Sequence, residues 1–436
     1  MASASGPAAS GIAPIVLGLR ANRQQFWLLV LVNAFVGAMV GLERTILPLI
    51  AEAEFGVASR SAALAFIAAF GAVKAMTNLL AGHLSDRFGR RHVLIAGWLF
   101  ALPVPLLLIW APSWGWVVVA NLFLGINQGL AWSTTVVMKM DLVGPKRRGL
   151  AMGLNEFAGY IAVALAALGT GLIAEQYGLR PAPIYLGVAF AVTGLALSVL
   201  LVRETHGHAK LEADGQGRGG AAAPMARPGI AGLLRRSIWR DPALSSANQV
   251  GLVNNLNDGL AWGLFPLFFA AAGLDLGQIG LLAFAYPATW GLCQLATGVL
   301  SDRWGRKPFI VGGMLLQGIA LAGIAQSATF WPWLAALIVL GVGTAMVYPT
   351  LLAAIGDVAH PTWRGSAIGI YRFWRDSGYV VGALLGGVLA DLFGIQRAIG
   401  AIAVLTIVSG LLAQVRMPET MSRSDPSGET LTAPAP

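Results

Sequence analysis

GHLSDRFGRR, residues 82–91, returns 216 positions later as GVLSDRWGRK, residues 298–307. At the same offset DLVGPKRRGLAMG (141–153) falls on DVAHPTWRGSAIG (357–369), with no gap between the two motifs. Asp141 and Asp357, Pro145 and Pro361, Arg148 and Arg364, and Gly149 and Gly365 coincide. So do Phe157 and Phe373, Gly171 and Gly387, and Gly178 and Gly394. A single match would be weak. Two separate motifs at one constant offset mark an internal duplication, and the chain reads as two related halves.

The sequence around these motifs is apolar. Of 436 residues, 56% are hydrophobic and 11% charged, and the mean hydropathy is +0.70. A soluble domain carries about 25% charged residues, so the solvent of this chain is lipid. A membrane-spanning helix needs about 20 mostly apolar residues. Twelve such runs lie near 26–50, 60–84, 92–112, 114–138, 149–174, 183–202, 243–272, 276–300, 308–327, 331–356, 366–390 and 395–416. These predict a tail (1–25), a six-helix bundle (26–202), a linker (203–242), a second six-helix bundle (243–416) and a second tail (417–436).

The linker is rich in Gly, Ala and Arg around GQGRGGAAAP and reads as mostly unstructured. Its Gly215, Gly217 and Gly220 match G-x-G-x-x-G, but no strand precedes them, so the match carries no dinucleotide site. The stretch GLLRRSIWR at its end reads as either an amphipathic segment on anionic lipid or ordinary flanking charge. The first 25 residues have no short apolar core followed by a cleavage pattern, which predicts an uncleaved first span rather than a signal peptide. Cys293 stands alone, so no intramolecular disulfide is possible.

Orientation follows from the loop cations. With the N-terminus inside, 22 of the 29 Lys and Arg residues fall in inside segments, Lys139 among them. Three fall outside (Arg60, Arg180, Arg397), and four lie within spans: Arg44, Lys74, Arg372 and Arg375. This bias also accounts for the formal charge of +9 without nucleic acid. Both copies of each loop motif lie on one side, so the halves share an orientation, as parallel repeats do.

The pattern G-x-L-S-D-R-x-G-R-R/K, between the second and third span of each half, resembles the signature loop of the major facilitator superfamily. The resemblance implies an all-α integral membrane protein: twelve transmembrane helices in two pseudo-symmetric six-helix bundles that rock about a central site. It also implies a cytoplasmic latch in the outward-open state. Asp86 is expected at the start of helix 11, where the positive helix end favours a carboxylate, and Arg90 against Asp141. By the repeat, Asp302 is expected at the start of helix 5 and Arg306 against Asp357. Gly82 and Gly298 would let backbones approach. Arg87, Gly89, Arg148, Arg303, Gly305 and Arg364 complete the latch. The competing reading of these charges is topology anchoring alone.

An ionisable side chain at mid-membrane costs about 2.5–3.5 kcal/mol on insertion scales and needs a cavity or a partner. The interior ones are Glu43 and Arg44 in span 1, Lys74 in span 2, Glu156 in span 5, Asp258 in span 7, and Arg372, Arg375 and Asp376 in span 11. Spans 3, 6, 9 and 12 have none, and these are the peripheral helices of the superfamily fold. The predicted proton carriers are Glu43, Glu156 and Asp258, because a carboxylate in a low-dielectric site loads and releases a proton near neutral pH. The predicted substrate cavity comprises Asn33, Arg44, Lys74, Asn78, Gln128, Trp132, Asn255, Trp262, Tyr286, Trp290, Arg372 and Arg375. Alternatives stay open: an isolated Asn or Gln as glue between helices, Glu43 locked to Lys74, and Arg372 paired with Asp376 one turn on.

No G-x-x-x-x-G-K-[ST], H-E-x-x-H, cysteine–histidine metal spacing or G-x-S-x-G is present. The expectation is therefore no enzyme, no cofactor and no metal. What remains is a proton-coupled secondary transporter of a small solute, leaning to an organic anion or zwitterion because the spans carry four cations. The expected partners are the bilayer, that solute and protons, with no nucleic acid and a monomeric state. The expected location is the bacterial cytoplasmic membrane, both termini cytoplasmic. A multidrug/proton antiporter is the runner-up. The classical ones carry a G-P pair in helix 5, and GLNEFAGYIAVALAALGTG has no proline. A non-transporting sensor or scaffold is the alternative of another class.

Overall fold

The computed structural model describes residues 16–143, 148–209, 211, 230–359 and 363–421. Among them there are helices and no strands. Helix α1 runs Arg23–Arg44 and resumes as Leu47–Ala53. It is followed by α2 (Ala65–Phe88), α3 (Arg90–Ile109), α4, α5 (Arg148–Tyr177) and α6 (Tyr185–Leu200). Helix α4 is Trp114–Asn127, a π turn at Gln128–Trp132, and Ser133–Val143. The second half holds α7 (Pro242–Ala271), α8 (Leu276–Trp304), α9 (Arg306–Gln326), α10 (Phe330–Val358), α11 (Arg364–Phe393) and α12 (Ile395–Arg416).

Among the described residues, ten of these helices are long and apolar enough to cross a membrane. The other two long segments are α4, broken by its π turn, and α7, which carries Asn248, Gln249, Asn254, Asn255, Asn257 and Asp258. Both are nonetheless wrapped by the rest of the molecule. Between Pro242 and Ala271 most side chains are buried.

Duplication is visible in the packing. Helix α1 packs on α5 and α7 on α11; α2 packs on α4 and α8 on α10. Two further equivalent pairs join the halves, α5 with α8 and α2 with α11. Small residues set these distances, as they do where lipid supplies no drive for helices to associate. A Cβ on Gly41 of α1 would stand 2.2 Å from the carbonyl oxygen of Val163 in α5, and one on Gly382 of α11 would stand 2.5 Å from that of Leu256 in α7. Only glycine permits either approach.

Two expectations are corrected here. Lys139 is not a loop cation: α4 continues to Val143, and Lys139 is fully buried, donating to the Leu29 carbonyl at 3.1 Å. Nor is the linker unstructured to its end. Ile230–Arg235 is helical and runs into a π turn, Arg236–Arg240, with Leu233 and Ser237 buried while Trp239 is exposed. The glycine-rich stretch 212–229 lies outside the described residues.

Candidate functional site

Charges from both halves meet where α1 and α2 face α7 and α11. Arg44 donates two hydrogen bonds to Asp258, Nη1 to Oδ1 at 2.6 Å and Nη2 to Oδ2 at 2.9 Å. Tyr379 donates its hydroxyl to Oδ2 at 2.6 Å. The pair is sealed, with Asp258 0% and Arg44 4% exposed, and the guanidinium lies 5.2 Å from the Trp262 ring centre. A two-pronged Arg–carboxylate contact with further donors is what lets two charges stay buried together. Phe66, Phe70, Trp262 and Tyr379 close around it edge to face. The seam is thereby blocked on the side of the α1–α2 connection, here the far face. The side carrying the repeated loops is the motif face.

Towards the motif face, Asp376 accepts a short hydrogen bond from Asn78 of α2. Its Oδ1 lies 3.8 Å from both Lys74 Nζ and Arg375 Nη1. Lys74 therefore pairs with Asp376, not with Glu43, and Asp376 is held by Asn78 and Lys74, not by Arg372. Arg375 donates to the Tyr348 hydroxyl at 3.2 Å and the Tyr160 hydroxyl at 3.0 Å, and lies 4.2 Å from the Tyr348 ring centre. Tyr160 lies against Trp290 with ring centres 3.6 Å apart. Glu156 Oε1 accepts from Trp132 Nε1 at 2.9 Å and Asn155 Nδ2 at 3.1 Å, while Oε2 has no hydrogen-bond partner among the described residues. The Arg372 guanidinium reaches only the Ser133 hydroxyl, at 3.4 Å, and no carboxylate lies within 4 Å of it among the described residues.

Other candidates lie away from these charge pairs, although Tyr286 lines a cavity with Arg44 and Trp262. Glu43 is 0% exposed, inside the first bundle with Asn121 of α4 beside it, and among the described residues neither carboxylate oxygen has a hydrogen-bond partner. Asn33 donates to the Asn155 carbonyl at 2.7 Å and Gln128 to the Val36 carbonyl at 2.8 Å. Asn255 is buried where α7 meets Gly378 of α11. Tyr286 contacts the Thr344 hydroxyl at 3.3 Å within the second bundle. Asn33, Gln128 and Tyr286 bond to neighbouring helices, whereas neither amide atom of the Asn255 side chain has a hydrogen-bond partner among the described residues; a helical stripe also faces the neighbours inside its own bundle.

At the motif face, Arg90 Nε meets Asp141 at 3.3 Å and Arg306 Nε meets Asp357 at 3.2 Å. Gly89 and Gly305 take φ of +89° and +105° at the corners between α2 and α3 and between α8 and α9, a region that favours glycine. Arg87 and Arg303 are exposed. Asp302, 60% exposed, pairs with Arg306 at 2.5 Å. The side chains of Asp86, Arg148 and Arg364 lie outside the described residues. A Cβ on Gly82 or Gly298 would meet nothing within 4 Å. The close approach expected of these glycines is therefore absent. At the far face, by contrast, a Cβ on Gly171 of α5 would stand 2.8 Å from Gly280 Cα of α8. The halves are thus in close contact at the far face, and at the motif face these two glycines bring no backbones together.

Sequence reasoning missed two residues here. Glu204 accepts the backbone N–H groups of Arg90 and Arg91, both at 3.0 Å, capping α3. Glu419 accepts those of Arg306 and Lys307, at 2.9 and 3.1 Å, capping α9. Burial alone would raise both carboxyls, but the backbone donors outweigh it and hold them below the usual carboxylate range. Thr205 and Thr420 then reach Asp141 and Asp357, at 2.9 and 3.3 Å.

The sequence profile of the Major Facilitator Superfamily matches residues 26–252 and 249–436. The chain belongs to this superfamily. It is an integral membrane protein. Among superfamily relatives, an uncharacterized transporter of Methanocaldococcus jannaschii is 28% identical over 154 residues, covering 35% of this chain and 40% of the relative. A Lactococcus lactis homolog of a multi-drug resistance efflux pump is 32% identical over 152 residues, covering 34% and 36%. These matches span well under two thirds of the relatives. A Cupriavidus pinatubonensis protein named "Probable 4-methylmuconolactone transporter" is 25% identical over 354 residues, covering 78% of each chain. The superfamily fold is seen in the crystal structure of a human organic anion transporter, with TM-score 0.65 and 20% identity over 90% of this chain and 99% of that one. A peptide-bound POT family transporter gives TM-score 0.71 at 13% identity, covering 90% and 96%.

Proposed function

We propose that this superfamily member is a secondary active transporter that moves a small organic anion, or a zwitterion presenting a carboxylate, together with a proton. Arg372 carries the reading. It is a cation in the seam with a hydroxyl as its only side-chain partner among the described residues. Around it, four cations (Arg44, Lys74, Arg372, Arg375) face three carboxylates (Glu156, Asp258, Asp376), an excess of one positive charge. Asp258 is bound up with Arg44 and Asp376 with Lys74 and Arg375. Glu156 is the one of the three with no ion pair among the described residues, and its Oε2 has no hydrogen-bond partner there, so it is the one free to take a proton. Once it does, the excess becomes two. Proton and anion then bind in mutual support, which is the logic of symport. Loss of the proton weakens the anion's hold at the same step.

In this reading twelve helices cross a bacterial inner membrane, with both ends of the chain and the motif face cytoplasmic, and the seam opens to each side in turn. Purified protein in proteoliposomes tests it, with a panel of small carboxylates that includes 4-methylmuconolactone. An inward proton gradient is expected to accelerate uptake. Arg372→Gln should lower uptake about tenfold or more, the scale of one lost charge-assisted contact. Glu156→Gln should keep anion exchange but lose the response to the gradient. Uptake indifferent to the gradient, in a protein where Glu156→Gln also changes nothing, ends the coupling claim. A multidrug/proton antiporter is the second reading, supported by the efflux-pump relative, and cationic dyes in the same vesicles would reveal it.

A further inference from the structure

The far face is shut by a device that the repeated loops do not contain. Asp391, near the end of α11, reaches across the seam to the chain that starts α2. Its carboxylate accepts the backbone N–H of Arg60 at 2.5 Å and that of Ser61 at 3.0 Å. It also accepts the hydroxyls of Ser59 at 2.8 Å and Ser61 at 2.6 Å. One turn earlier on the same face of α11 is Gly387. A Cβ there would stand 2.6 Å from Ser61 Cα. The glycine admits the short helix Arg60–Ala63 that leads into α2, and the carboxylate four residues later grips its first turn.

The same arrangement stands at the equivalent place in the other pair. Displaced by 216, Gly387 and Asp391 become Gly171 and Glu175 of α5, and Ser61 becomes Gly277 of α8. A Cβ on Gly171 would stand 2.9 Å from the Leu276 carbonyl oxygen, and one on Gly277 would stand 2.3 Å from Glu175 Oε2. Thus one carboxylate at the end of α11 and one at the end of α5 lie over the first residues of the opposing helix. The Asp391 copy makes four hydrogen bonds. At the Glu175 copy, Asp275 already supplies the cap of α8.

We propose that Asp391, with Glu175 as its weaker counterpart, is a far-face latch whose release is the opening step on that side. Each carboxylate positions the partner bundle and touches no substrate. The opposite ends of the same helix pairs carry Asp86 and Asp302, at the close of α2 and α8. Each of α2, α5, α8 and α11 would then offer a carboxylate at its C-terminal end to its antiparallel partner, at one face or the other. The latch concerns bundle motion alone, so it stands or falls independently of the substrate proposed above.

Spin-label distances between Ala53→Cys and Arg397→Cys, on the full chain with Cys293→Ser, test it in nanodiscs. The unsubstituted latch is expected to give a dominant short distance. Asp391→Ala should move the open-to-shut ratio about tenfold towards open, in line with the loss of several charge-assisted hydrogen bonds. Ser59→Ala with Ser61→Ala, which removes two donors and keeps the carboxylate, should move it in the same direction by less. Glu52→Gln breaks an ion pair of Arg60 within the first half, 2.7 Å in the structure, and should leave the distances unchanged. An unmoved distribution in both latch variants, or an equal shift in Glu52→Gln, overturns the proposal.

Discussion

Arg44 and Asp258 show what a sequence reveals about a buried charge and what it conceals. That each needs relief follows from its cost in a span. That they relieve one another does not, because they lie 214 residues apart and meet only when the halves dock. Lys74 makes the same point: Glu43 is its nearer acid in sequence, yet the seam supplies Asp376. Lys139 was counted with the loop cations because a lysine ends an apolar run on any hydropathy count, although here it lies buried inside α4. Removing one partner of a buried pair leaves an uncompensated charge, at a cost of about 3–5 kcal/mol. Asp258→Leu alone is therefore expected to lower the apparent melting temperature of the purified protein strongly. Arg44→Leu combined with Asp258→Leu should recover most of that loss. Additive losses in thermal unfolding by size-exclusion detection would show that the two charges are not coupled.

Among the elements, the long apolar helices were legible from length and composition, and their ends were not. Ends are decided by caps, and the two that matter most here come from outside the helices they serve. Glu204 and Glu419 follow α6 and α12 and cap α3 and α9. A signal existed: RET at 203–205 and PET at 418–420 repeat, but at an offset of 215, one residue out of step with everything before. Their carboxyls sit below the ordinary value of 4.5. The stabilisation they give is thus fully present above the usual carboxylate range and is lost as pH falls through the depressed folded value. Glu204→Ala is expected to cost about 1 kcal/mol, as loss of a cap does, and to speed hydrogen exchange at the Arg90 and Arg91 amides. Unchanged exchange there would mean that α3 is held by its packing alone.

For the whole molecule, the duplication and the superfamily were readable from two loop motifs, whereas the state of the seam was not. One sequence must encode both the shut and the open arrangement of each face, so no motif reports which is occupied. Here, at the motif face, Asp302 is turned to Arg306 of its own half. Joint replacement of Asp86 and Asp302 by Asn is expected to slow transport about tenfold while membrane levels stay normal, because the motif face would then lack its means of closing. A transport rate equal to that of the unsubstituted protein would reduce both aspartates to topology anchors. The glycines of the α1–α5 and α7–α11 crossings hold a different lesson. In the first half the approach depends on Gly37 and Gly41 of α1; in the second it depends on Gly378 and Gly382 of α11. The matching positions are Val253 and Asn257 in α7, and Ala162 and Ala166 in α5. The two descendants of one ancestral half have exchanged which helix yields space and which fills it. What descent preserved at these crossings is a separation between two backbones, inherited by whichever strand of the lineage could supply the missing side chain.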